Sequence, residues 1–117
     1  TAIYVRELEE AIRFYNELLG LQVVKQFNVG QEIEIAFLGN FAENETMIEL
    51  IEDGSKMNIC HSDFLSIGFA IPSIEEMMRN VEDMNIPIYS GPVETPTSRY
   101  FTIKDPNGVN VQFFQQK

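Results

Sequence analysis

The chain has 117 residues with 44% hydrophobic content, enough for one domain with a real core and too few for two independent ones. Eight Lys and Arg stand against eighteen Asp and Glu, a formal net charge of −10, which opposes attraction to phosphate backbones and anionic lipid. Neither nucleic acid nor a membrane is therefore expected as a partner. One cysteine, Cys60, excludes an internal disulfide, and no apolar run approaches the roughly 18 residues of a membrane span. Both fit a cytoplasmic protein.

Thr1 to Val5 is an apolar strand pattern that begins without an initiating Met, so further residues are expected before it. Leu8, Ala11, Ile12, Tyr15 and Leu18 follow at the spacing that puts apolar side chains on one stripe of a helix. Gly20 is placed to end that helix in a left-handed conformation. Strand patterns cover Leu21–Phe27, Glu32–Leu38 and Thr46–Ile51, with Asn28-Val29-Gly30 and Gly39-Asn40 as turns. Residues 52–63 read as a connector containing Cys60 and the single histidine, His61. His61 reads as an ordinary loop histidine, and a Cys60-His61 nucleophile and base as its alternative.

Ile67–Ile71 is the next strand, closed by Pro72. Ser73 and Glu76 then form an S-x-x-E capping box before the stripe Ile74, Met77, Met78, Val81 and Met84. Pro87 is expected to stop this second helix. Ile88–Val93, Arg99–Lys104 and Val109–Phe114 complete the strands, the last two joined by the turn Asp105-Pro106-Asn107-Gly108.

These elements repeat. The second stripe reproduces the first position for position, 66 residues later, and Glu9, Glu10 and Arg13 map onto Glu75, Glu76 and Arg79. The chain therefore reads as a single α+β domain of two βαβββ half-repeats, about 1–51 and 64–117, forming a curved, cup-like mixed sheet with the helices outside. Neither half could bury its helix and sheet alone, so a shared core within one chain or across a dimer is expected.

Period-two alternation puts Glu49 on the side of its strand away from the helix, and Gln112, 63 residues later, on the equivalent side. Between Leu65 and Ile71, the residues Leu65, Ile67, Phe69 and Ile71 face the core, leaving Ser66, Gly68 and Ala70 opposite. Phe37, Phe101, Tyr100 and Phe114 could line that face or fill the core. Arg99 could meet an anionic ligand or pair with one of the many acids.

The stretch from Val5 to Leu21, then Met47-Ile48-Glu49-Leu50, then Asp105-Pro106-Asn107-Gly108 before a final strand, resembles the vicinal oxygen chelate superfamily of glyoxalase I, bleomycin-resistance proteins and extradiol dioxygenases. That resemblance implies four metal-ligand positions: the residue before Thr1, Glu49, Ser66 and Gln112. Only Glu49 matches cleanly. Ser66 stands where a His is expected, and Gln112 where a Glu serves as ligand and base; an amide cannot take up a proton at neutral pH. The reading drawn from this is a metal-free homodimer that binds a small molecule through Glu49, Ser66, Gln112, Arg99 and Phe101, with no cofactor. The alternative is a divalent-metal lyase or isomerase of the lactoylglutathione lyase type, or a related oxygenase. It would hold its metal through Glu49, Gln112 and an unseen His. A third reading is an interaction domain whose edges bind protein.

Overall fold

A computed structural model describes residues 1–56 and 58–117. The chain divides into two compact units, residues 1–60 and 61–117, and each carries one half-repeat. The first unit contains β1 (Ala2–Tyr4), α1 (Leu8–Leu19), β2 (Gln22–Val29), β3 (Ile33–Gly39) and β4 (Ile48–Asp53). The second contains β5 (Ser66–Ala70), α2 (Ile74–Asp83), β6 (Ser90–Glu94), β7 (Ser98–Lys104) and β8 (Asn110–Gln116). The sheet orders are β1-β4-β3-β2 and β5-β8-β7-β6, so the two units share one topology. In each, the first strand lies parallel to the last and the other neighbours are antiparallel.

Each helix buries the stripe that its sequence spaces for it. Leu8, Ala11, Tyr15 and Leu18 of α1 are buried, as are Ala36 and Leu38 of β3 and Ile48 and Leu50 of β4. In the second unit Ile74, Met77 and Val81 of α2 are buried, as are Phe101 and Ile103 of β7 and Val111 and Phe113 of β8. Phe113 anchors that core, with ring centroids 5.4 Å from Phe101 and 6.4 Å from Phe69. Each Leu, Ile, Val, Phe or Met side chain so withdrawn from water contributes about 1.5–3 kcal/mol before conformational entropy is charged against it.

The helix starts use a device the sequence does not announce. Glu52 Oε1 accepts the Leu8 amide at 2.7 Å, and Gln115 Oε1 accepts the Ile74 amide at 2.8 Å. Glu52 and Gln115 are 63 residues apart, so the last strand of each unit caps its own helix from the equivalent position. Ser73 adds the expected cap, its Oγ accepting from the Glu76 amide at 3.2 Å. Gly20 adopts φ 70°, and its amide donates to the Asn16 carbonyl at 2.8 Å, which closes α1 as expected.

Several boundaries differ from the sequence reading. The helix α2 stops at Asp83, well before Pro87, because Asn85 takes φ 58° and turns the chain; Met84 sits at the cap instead of on the stripe. Asparagine tolerates this left-handed conformation better than other side chains. The strand β4 runs on to Asp53, which moves Glu52 out of the connector and into the sheet. Leu65, expected on the core side, precedes β5 and is 72% exposed beside Phe64 at 97%.

The paired caps give a prediction. Glu52→Ala and Gln115→Ala should each lower stability by about 1 kcal/mol in urea denaturation, the usual cost of losing a helix cap. Glu52→Gln should stay within about 0.5 kcal/mol of the parent, since an amide already does the same task in the second unit.

Candidate functional site

In the first unit the face away from α1 is built on Glu49. Its neighbours along β4, Ile48 and Leu50, are buried on the helix side, so alternation sends the Glu49 carboxylate the other way. Phe37 lies opposite it on β3 and Lys25 opposite Phe37 on β2, while Ala2 of β1 is its neighbour on the other side. Phe37 stacks on Phe27 with centroids 6.2 Å apart and planes at 23°. The Lys25 ammonium lies 4.7 Å from the Phe37 centroid and 5.8 Å from that of Phe27, within cation–π range. The result is an aromatic platform with a carboxylate in register on one side and an ammonium over its rings. Such a surface can hold a planar apolar body and orient its polar ends.

The equivalent face of the second unit mixes polar and aromatic groups. Gln112 pairs with Gly68 of β5 on one side and Thr102 of β7 on the other, and Ser66 pairs with Asn110. A β-carbon at Gly68 would lie 3.7 Å from Gln112 Oε1 and 3.6 Å from the Phe114 ring, so both side chains fold over the glycine. Tyr100 lies opposite Phe114 on the same face.

Asp63, just before β5, organises one end of this face. It accepts hydrogen bonds from Lys104 Nζ at 2.8 Å, Tyr89 Oη at 2.8 Å and Asn110 Nδ2 at 3.1 Å. Lys104 also donates to Asn110 Oδ1 at 2.8 Å, and its ammonium lies 4.1 Å from the Tyr89 ring centroid. Bonds from Lys104, Tyr89 and Asn110 hold the Asp63 carboxyl down at about 2. The same carboxylate raises the Tyr89 and Lys104 values. Sequence reading leaves Asp63 in the connector. The available signal is Lys104 and Asn110 facing each other across the Asp105–Gly108 turn, a cation placed where an anion is wanted.

Two residues expected to bind ligand lie elsewhere. Phe101 is fully buried against Phe113 on the α2 side. Arg99 shares that side, where it pairs with Glu75 of α2 and, through its Nε, with Glu94 Oε1 at 2.9 Å. Alternation explains both: Thr102, opposite Gln112, fixes the even positions of β7 to the Gln112 face and sends 99, 101 and 103 to the helix. Of the two readings left open for Arg99, pairing with acids is the one found. Tyr100 and Phe114 stay on the Gln112 face, and Phe37 on the Glu49 face.

The superfamily positions described in the structure supply one carboxylate, Glu49, and two neutral groups, the Ser66 hydroxyl and the Gln112 amide. Among the described residues no group of three or more His, Cys, Asp or Glu side chains could hold a metal ion. Divalent ions of the lyase type favour imidazole and carboxylate donors, and of these positions only Glu49 offers one.

Two four-stranded mixed sheets in the order 1-4-3-2, each with one helix and arranged as a tandem repeat, define a βαβββ-repeat protein. The chain belongs to the Glyoxalase/Bleomycin resistance protein/Dioxygenase superfamily, which residues 1–113 match. It is 32% identical to the uncharacterized protein YwbC of Bacillus subtilis, covering 99% of this chain and 94% of that one. It is 27% identical to a "Probable lactoylglutathione lyase" of Vibrio parahaemolyticus, covering 100% and 88%. The crystal structure of a glyoxalase family protein from Bacillus cereus superposes with a TM-score of 0.82 at 20% identity, covering 99% and 91%.

The Asp63 hub gives a pH prediction. Its carboxyl is depressed from 3.8 to about 2 on folding, so its contribution is present above pH 3.8 and is lost as pH falls toward 2. Asp63→Asn should therefore be less stable than the parent at pH 6, with the gap closing between pH 4 and about pH 2. Denaturation midpoints of both proteins across that range check it.

Proposed function

We propose that this protein is a metal-free binder of a small organic molecule, taken on the sheet face of the first unit that carries Glu49, Phe37 and Phe27. It acts in the cytoplasm as a homodimer. The observation that carries this reading is the donor set: Ser66 and Gln112 are neutral where the superfamily resemblance asks for metal ligands, while Glu49 is kept beside a stacked, half-exposed aromatic pair. A platform of that kind binds by apolar contact and uses its few charges for orientation. Gln112 can donate and accept hydrogen bonds but cannot remove a carbon-bound proton, which takes away the base a lyase would need at that position.

The 27% identity to the Vibrio parahaemolyticus "Probable lactoylglutathione lyase" favours a second reading, a metal-dependent lyase that uses Glu49. Zinc, nickel and manganese titrations by calorimetry separate the two. Well under one equivalent of metal bound, with no lactoylglutathione lyase activity in its presence, is the expected result. One equivalent bound in the parent and lost in Glu49→Gln overturns the metal-free reading. A thermal-shift screen of small aromatic compounds then identifies ligands, and Phe37→Ala should weaken the best of them by about 3- to 10-fold, the usual worth of an aromatic contact.

A further inference from the structure

The strands β2 and β6 are repeat mates, and each lies at one edge of its four-stranded sheet. An open edge presents unpaired backbone amides and carbonyls, and proteins normally blunt it with proline, bulges, charge or brevity. The strand β6 is blunted. It has five residues, Pro92 near its centre, and a break in register between Ser90 and Val93. The strand β2 has eight residues and no proline, and its one irregularity falls between Val23 and Lys25. From Lys25 to Val29 it pairs regularly with Phe37 to Ile33, which leaves five consecutive residues with a regular outer edge. Phe27 and Val29 within that run are 40% and 47% exposed.

We propose that the β2 edge is the contact through which two copies of this chain associate, strand against strand and antiparallel, with the twofold at Phe27. This assigns a surface to the homodimer proposed above and rests on that reading. The run is self-complementary in this register. Phe27 meets the partner's Phe27, Gln26 meets the partner's Asn28, and Lys25 meets the partner's Val29, so no like charges lie directly opposite. A twofold at Lys25 would instead put ammonium against ammonium. With Phe27 on the axis, the stack of Phe37 on Phe27 continues into the partner, joining two aromatic platforms into one row. Five residues a side bury less than a standard interface, so the dimer is weak and concentration-dependent.

Sedimentation velocity from about 5 to 500 µM reads the association. V29K sets an ammonium opposite the partner's Lys25 and should raise the dimer dissociation constant about tenfold or more. K25E/V29K replaces that repulsion with an attraction and should restore the parent value. Both positions are surface-exposed, and circular dichroism checks that the fold is kept. In a C60S background, F27C should form an intermolecular disulfide on mild oxidation, whereas Q26C, facing the partner's Asn28, should not do so comparably. A dimer indifferent to V29K and without the F27C disulfide overturns the β2 contact and leaves the homodimer itself standing. A monomer at every concentration overturns both.

Discussion

The structure of each unit depends on its last strand, which is bonded on both sides and is read differently on its two faces. In β4, Ile48 and Leu50 are buried on the α1 side, Glu52 on that same side receives the first helical amide, and Glu49 between them is turned to the opposite face. In β8, Val111 and Phe113 are buried, Gln115 receives the first amide of α2, and Gln112 is turned away. One strand thus fixes the core, the helix entry and the candidate binding residue together. A slip of one residue would exchange all three, so burial of the apolar set holds the polar residues in place.

On that shared frame the two faces have diverged. The Glu49 face is aromatic, with Phe27 and Phe37 stacked beneath Lys25. The Gln112 face mixes polar groups with the Tyr100 and Phe114 rings, and the Asp63, Lys104, Tyr89 and Asn110 hub ties the approach to β5 onto β7 and β8. A carboxylate with three donors is well satisfied electrostatically, and because it stays near solvent its contribution to stability is modest. The superfamily scaffold supports such divergence because function resides in the residues mounted on the sheet faces and the fold is indifferent to them.

Much of this was legible in the residues. Helical stripes 66 apart, the Gly20 stop, the Ser73 cap and the Asp105–Gly108 turn rest on local chemistry, which a neighbouring element does not alter. Glu49 and Gln112 could be placed on one side of their strands because strongly apolar neighbours flank them. Arg99 and Phe101 could not be placed, since Arg99-Tyr100-Phe101-Thr102 offers a bulky or polar side chain at every position and no alternation to read. The register against β8 decided it, Thr102 falling opposite Gln112. Asn85 stopping α2 ahead of Pro87 was obscured for a related reason: the proline is the louder signal, but the chain had already turned.

The superfamily resemblance is what marks Ser66 and Gln112 as departures from a metal-binding set. The sequence by itself determined the number of repeats, the order of their elements and the buried stripe of each helix. Those follow from periodicity and side-chain chemistry, both local. Only the tertiary structure decided that Glu52 and Gln115 cap the helices, that Asp63 collects three donors, that Arg99 is spent on Glu75 and Glu94, and that β2 keeps a regular open edge while β6 does not. Each of those depends on which strand lies beside which and in what register, and pairing between residues tens of positions apart leaves no periodic trace in the chain.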